Sequence, residues 1–308
     1  MQQRSSVLVL GRTLGIAGLS GTLLAALNAC GGSGDSSSGT PTASVSSMSV
    51  NATRYGSLAT VTINGTNLDS SLAVSSNACA NMTLLTTAPT ASTSTTAYYS
   101  CKVSGGISGT VVAKSNNTQV GSASFTVLQP VVSLAITNGQ SVNGNIVITL
   151  AADKAPKTVD NFLNYVNSGF YNGTIFHRDV ANFVMQAGGY ASPVSDLSTA
   201  TLKPTTFPPI AVENTGLSNL TWSIGMANAN SSSNSLTTTS QFYFNLADNT
   251  SLDANYPAFG AVTSGTAVAQ AILAAHANCS TVTFPSGATE TDCLPVPNAV
   301  ITTATQTQ

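Results

Sequence analysis

Charged side chains are scarce in these 308 residues. Nine Lys and Arg stand against eleven Asp and Glu, 6% in all, for a formal charge of −2. A typical soluble domain carries about 25%. Without a basic surplus nothing neutralises phosphates, which argues against nucleic-acid binding. The same scarcity does not suit a coiled coil or an acidic disordered tail. Histidine occurs twice, at 177 and 276, and no Cys-x-x-Cys spacing is present, so neither zinc nor another metal is expected. Tryptophan occurs once, at 222. No apolar run reaches the roughly 18 to 20 residues of a membrane span. Hydrophobic residues nonetheless make up 42%, enough to build cores. Ser, Thr, Asn and Gln must therefore keep the surface wet.

The longest apolar stretch, Thr13 to Leu27, follows Arg4 and Arg12, as in an export signal over residues 1–29. Leu27-Asn28-Ala29-Cys30 comes next and resembles the lipobox of bacterial lipoproteins, with Asn28 an unusual occupant of its place. The resemblance implies cleavage before Cys30, acylation of that cysteine and a lipid-anchored place in the bacterial cell envelope. Two acyl chains hold firmly where one does not. Gly31, rather than aspartate, after the lipid site implies the outer membrane, on its periplasmic or surface face. Cleavage would leave seven basic against eleven acidic residues. With Cys30 acylated, an even four cysteines remain, two in each half. An oxidising compartment then predicts Cys79–Cys101 and Cys279–Cys293 disulfides. The second closes a loop of about 15 residues, worth roughly 3 kcal/mol on a chain-entropy basis.

Residues 30–47 are Gly/Ser/Thr-rich and read as a flexible tether. Residues 48–128 show short β-prone runs and no helix: Thr60 to Gly65, Tyr98 to Val103, Gly109 to Ala113 and Ser122 to Val127. This predicts a small β-sandwich. The run Ala59 to Leu68, with Phe125 and Val127, resembles a bacterial Ig-like or TIG-type module. Residues 131–304 differ. Leu134 and Ile136, then Ile146, Ile148 and Leu150, alternate around Asn143-Gly144 as a hairpin. Val159, Phe162, Leu163 and Val166 recur at helical spacing, with Asp153 as the expected cap and Pro156 in the first turn. A second helix is expected after Gly265, facing inward with Val268, Ala271, Ile272 and Ala275. Ala191 to Pro208 and Ala277 to Pro297 read as surface loops.

The densest stretch runs from Gly169 through Phe176-His177-Arg178 to Asn182-Phe183-Val184-Met185-Gln186-Ala187-Gly188-Gly189. It resembles the signature of cyclophilins, the peptidyl-prolyl cis-trans isomerases. Pro209-Ile210 to Glu213-Asn214, Gly225-Met226-Ala227-Asn228-Ala229, Ser240-Gln241-Phe242-Tyr243 and Phe259-Gly260 follow in the family's order. The layout is similar to the shorter bacterial type. The resemblance implies an all-β fold, a closed eight-stranded antiparallel barrel with two helices, and an active groove on its outer wall. It implies an enzyme without cofactor whose partners are proline-containing polypeptides. A monomer is expected.

By the same resemblance Arg178 stabilises the twisted amide, Gln186 orients it and contacts substrate, and the Asn228 backbone holds the residue before proline. Phe183, Val184, Ala227, Ala229, Gln241, Tyr243, Leu252 and Tyr256 would bind the substrate. Val184 replaces the usual methionine, and Tyr243 replaces phenylalanine, adding a hydroxyl expected at the pocket rim. Ser251 stands where many eukaryotic members carry tryptophan, which implies weak binding of cyclosporin-like macrocycles. Tyr256 occupies a common histidine position. Read without the resemblance, Arg178 could be a structural arginine paired with Asp179 or Glu213, and each apolar residue plain core. His177 is read as structural. Two other functions stay open: a proline-binding chaperone with little turnover, and a surface-binding lipoprotein working through residues 48–128.

Overall fold

A computed structural model describes residues 42–68, 72–197, 199–228, 236–283 and 289–308. The export segment, Cys30 and most of the tether lie outside the described residues. Among the described residues no helix is long and apolar enough to cross a membrane.

The first seven strands form two antiparallel sheets. β1 (Ser44–Asn51), β2 (Leu58–Thr66), β3 (Ala73–Ser76), β4 (Cys79–Leu84), β5 (Thr96–Val103), β6 (Ser108–Ser115) and β7 (Thr118–Thr126) sort into the orders β1-β2-β5-β4 and β3-β6-β7. Period-2 alternation drives this. Ala59, Val61 and Ile63 of β2, Tyr99, Cys101 and Val103 of β5, and Val111 and Ala113 of β6 are all buried. Asn116 and Asn117 both take positive φ in the two-residue turn between β6 and β7, the twist that hairpin turns need. Cys79 and Cys101 are disulfide-bonded, as the cysteine count predicts. The tether gives way earlier than expected: β1 begins at Ser44 and Ala43 is already buried. Its small polar residues masked a strand whose Val45 and Met48 pack on the core.

The barrel uses β8 (Val131–Thr137), β9 (Asn143–Leu150), β10 (Thr174–Asp179), β11 (Val184–Ala191), β12 (Ile210–Ala211), β13 (Ser223–Asn228), β14 (Leu236–Asn245), β15 (Ala258–Ser264), β16 (His276–Thr283), β17 (Thr289–Pro295) and β18 (Val300–Gln306). The order β11-β14-β13-β15-β9-β8-β18-β10 closes through β10–β11 pairing, giving eight antiparallel strands in a ring. The last strand runs two residues past the expected end at 304. The expected loop at 277–297 is instead largely the hairpin β16–β17, paired to β10 and closed by the Cys279–Cys293 disulfide. Its Ser/Thr content carries no alternating apolar signal; pairing and the disulfide define it.

Helix α1 (Pro156–Asn167) covers one end of the barrel, and α2 (Thr266–Ala274) packs beside β9. Pro156 suits the first position of α1, where its missing N–H costs nothing. The helix ends in a Schellman arrangement. Gly169 takes φ 71°, its N–H donates to the Val166 carbonyl, and the Phe170 N–H donates to that of Tyr165. The rings of Tyr165 and Phe170, 4.8 Å apart, complete it. The expected Asp153 cap does not form. Ala155 is the cap residue, and Asp153 accepts from the Gln129 amide. The free amides are met by Glu213, whose carboxylate accepts from Lys157 N–H at 3.2 Å, Thr158 N–H at 2.8 Å and the Thr158 hydroxyl at 2.8 Å. In α2 Ile272 is buried and Val268, Ala271 and Ala275 pack partly buried against the core, as expected, with Ala269 buried beside them.

The barrel interior is aromatic. Phe162 from α1 reaches Tyr171, Phe242 and Phe259 at 5.3–5.4 Å between centroids, and Phe176 and Phe242 extend the cluster to Phe244. Each such pair adds about 0.5–1.5 kcal/mol beyond area burial. A filled interior leaves function to the outer wall.

Candidate active site

On the outer wall, register lines up four residues from neighbouring strands. Arg178 on β10 faces Gln186 on β11, Gln186 faces Tyr243 on β14, and Tyr243 faces Gly225 on β13. Facing residues share a side of the sheet, so these project outward together. Alternate residues Met185, Ala187, Phe242, Phe244 and Met226 are buried. Gly225 is required by close approach: a Cβ there would lie 2.3 Å from the Tyr243 ring. The missing side chain lets the tyrosine lie flat and leaves a notch above it.

A groove of about 320 Å³ opens over this row, lined by Arg178, Phe183, Val184, Gln186, Ala227, Asn228, Tyr243, Leu252 and Tyr256. These are nine of the eleven catalytic and substrate-binding residues expected from the sequence. Gln241 sits beside them, its side-chain oxygen accepting from Gln186 Nε2 at 2.8 Å. Ala229 lies outside the described residues. Ser251, on the short 3-10 turn Thr250–Leu252, is exposed and away from the groove lining, whereas Leu252 lines it.

The guanidinium of Arg178 stands at one side, its Cζ 5.9 Å from the Phe183 ring centroid. Its Nε donates to Asp292 Oδ2 at 2.9 Å. Asp292 sits on β17, 114 residues along the chain, and sequence reading missed it; the acids weighed there were Asp179 and Glu213. Glu213 instead serves α1. The one signal for Asp292 was its place next to Cys293. Across the groove, the Asn228 side chain accepts from the Thr237 hydroxyl and donates to the Asn255 carbonyl at 3.3 Å, which fixes its backbone.

The Tyr243 hydroxyl is not at the rim as expected. It is buried and donates to Asn219 Oδ1 at 2.7 Å. Asn219 also accepts from Asn245 at 3.0 Å and donates to Asp253 at 2.9 Å and to the Tyr256 carbonyl at 3.0 Å. Asn249 joins Asn245 to the Phe183 carbonyl at 2.9 and 2.8 Å. This network ties Phe183, Tyr243 and Tyr256 into one rigid floor. Burial holds the Tyr243 hydroxyl well above the usual phenol range, so it stays a neutral donor.

His177 is buried and packs its ring against Tyr190 at 4.9 Å. Burial, with the charge of Arg178 acting the same way, pushes its pKa down to about 4, so it is neutral at neutral pH. Among the described residues no group of three His, Cys, Asp or Glu could hold a metal ion.

The family described as "Cyclophilin type peptidyl-prolyl cis-trans isomerase/CLD" matches residues 132–304. "Peptidyl-prolyl cis-trans isomerase A" of Dickeya dadantii is 43% identical over 135 residues, 42% of this chain and 66% of that protein. "Peptidyl-prolyl cis-trans isomerase" of Acinetobacter baylyi is 41% identical over 147 residues, 46% of this chain and 71% of that one. The chain thus spans about two thirds of the length of these relatives. A solved cyclophilin-type isomerase from Cryptosporidium parvum aligns over 59% of this chain and 99% of its own, at 19% identity and a TM-score of 0.41. With more than half its length matched, and a closed eight-stranded barrel carrying the groove, the chain belongs to the cyclophilin family of peptidyl-prolyl cis-trans isomerases.

Proposed function

We propose that this chain isomerises X-Pro bonds in exported polypeptides, from a lipid anchor at Cys30 in the bacterial envelope. The observation that carries the reading is the meeting of one guanidinium with an apolar notch in a single groove. Amide resonance sets a barrier of about 18–20 kcal/mol, and unaided X-Pro isomerisation takes tens to hundreds of seconds. No bond breaks, so the groove needs only to bind the twisted amide better than either planar form. Phe183, Val184, Tyr243 and Leu252 seat the proline ring. The Asn228 backbone pairs with the preceding residue. As the amide twists, the proline nitrogen regains its lone pair, and Arg178 donates to it without losing a proton. Each 1.36 kcal/mol gained in that state is about tenfold in rate. The two disulfides support an oxidising compartment, and the lipobox-like Leu27 to Cys30 supports the anchor.

Isomerisation of a short Ala-Pro peptide, followed by coupled proteolysis, tests the reading. Arg178→Ala should lower kcat/KM about 100-fold, as loss of a key donor does elsewhere, with KM little changed. Equal turnover by the variant and the natural chain would sink it.

A further inference from the structure

The hairpin β16–β17 is an addition to the barrel wall: it pairs with β10 from outside the eight-stranded ring. Cys293 on β17 faces Asp179 on β10, so Asp292 lies diagonally across from Arg178, on the same side of the sheet. Its Oδ2 accepts from Arg178 Nε at 2.9 Å, with the two side chains 25% and 23% exposed. Its other oxygen, Oδ1, is buried and has no hydrogen-bond partner among the described residues. Among the described residues its hydrogen-bond partner is Arg178, and buried Asp179 lies close enough to feel its charge. The contact engages Nε, and Phe183 stands near the guanidinium within the groove. An arginine side chain samples many rotamers when nothing holds it. A carboxylate on Nε removes much of that freedom before substrate arrives. The neighbouring Cys279–Cys293 disulfide fastens the strand that bears the acid.

We propose that Asp292 is a positioning residue, holding the Arg178 guanidinium ready for the twisted amide. This rests on the isomerase reading above. It extends the working groove to a segment outside the barrel ring, and makes the hairpin part of the enzyme.

The full chain, with its disulfides oxidised, is assayed on the Ala-Pro peptide as the Asp292→Asn, Asp292→Glu, Arg178→Ala and Arg178→Ala/Asp292→Asn variants. Asp292→Asn should lower kcat/KM about tenfold, chiefly in kcat, because the arginine must now be ordered during the reaction. Asp292→Glu should recover most of the loss. In the Arg178→Ala background Asp292→Asn should cost nothing further. Unchanged or faster turnover by Asp292→Asn overturns the proposal. An equal loss with and without Arg178 also overturns it, since the acid would then serve the fold alone. Thermal melts of each variant separate unfolding from lost positioning. If Arg178→Ala itself is fully active, the isomerase reading fails first, and that result is visible on its own.

Discussion

Three consecutive residues of β10 carry different electrostatic loads. Arg178 faces the groove, while His177 and Asp179 are buried. Burial first, and then the charge of Asp292, raises the Asp179 pKa from 3.8 to about 7. The fold therefore favours its neutral form. That stabilisation is whole below about pH 3.8 and is lost as pH rises through about 7. His177, lowered from 6.5 to about 4, works the other way: its contribution is whole above about 6.5 and is lost as pH falls through about 4. Between those limits the two slopes oppose. Asp179→Asn removes one of them, so its melting temperature should climb more steeply with pH from 4 to 6.5 than that of the natural chain. Thermal melts across that interval check this, and parallel curves would refute it.

Among elements, α1 depends on a carboxylate far along the chain. Glu213 meets two backbone amides and a hydroxyl at its first turn. Glu213→Ala should destabilise the protein by about 1–2 kcal/mol, as lost caps and charged hydrogen bonds do. Urea denaturation measures it, and a change below about 0.5 kcal/mol would show that water replaces the carboxylate. The helix itself was legible, because Val159, Phe162, Leu163 and Val166 carry its period locally. Its cap was not, because Glu213 is 55 residues from Thr158 and only the fold joins them. The groove row was legible through resemblance alone: a buried Tyr243 or Val184 looks like any core residue until strand register sets it beside Arg178. Asp292 and the hairpin carrying it stayed hidden because polar strands leave no alternating pattern. The Tyr243 hydroxyl was placed at the rim because nothing in its neighbourhood along the chain announces Asn219 beneath it.

At the scale of the whole molecule, Pro41–Gln308 form one unit, and Tyr55 is among the residues that join its two sheet systems. Tyr55 is fully buried. Its hydroxyl donates to Asp160 of α1 at 2.8 Å and accepts from Gly105 N–H at 3.2 Å. Its carbonyl accepts from Gln306 of β18 at 2.8 Å, and Lys102 donates to Asn164 at 3.3 Å nearby. Burial raises the Asp160 pKa, and the Tyr55 hydrogen bond partly offsets it. Tyr55→Phe keeps the shape but removes one of that carboxylate's donors, and should cost about 1–3 kcal/mol. Calorimetry should show one transition for the natural chain and a lower melting temperature for the variant. Two separate transitions in the natural chain would show that the halves melt independently. The ring of strands has its own consequence for biosynthesis. β18 sits between β8 and β10, so the gap it fills stays open until the strands before it have been translated. Until then β8 presents a bare edge and β10 one only partly paired by β17, and a chaperone able to shield them would be needed longest by this part of the nascent chain.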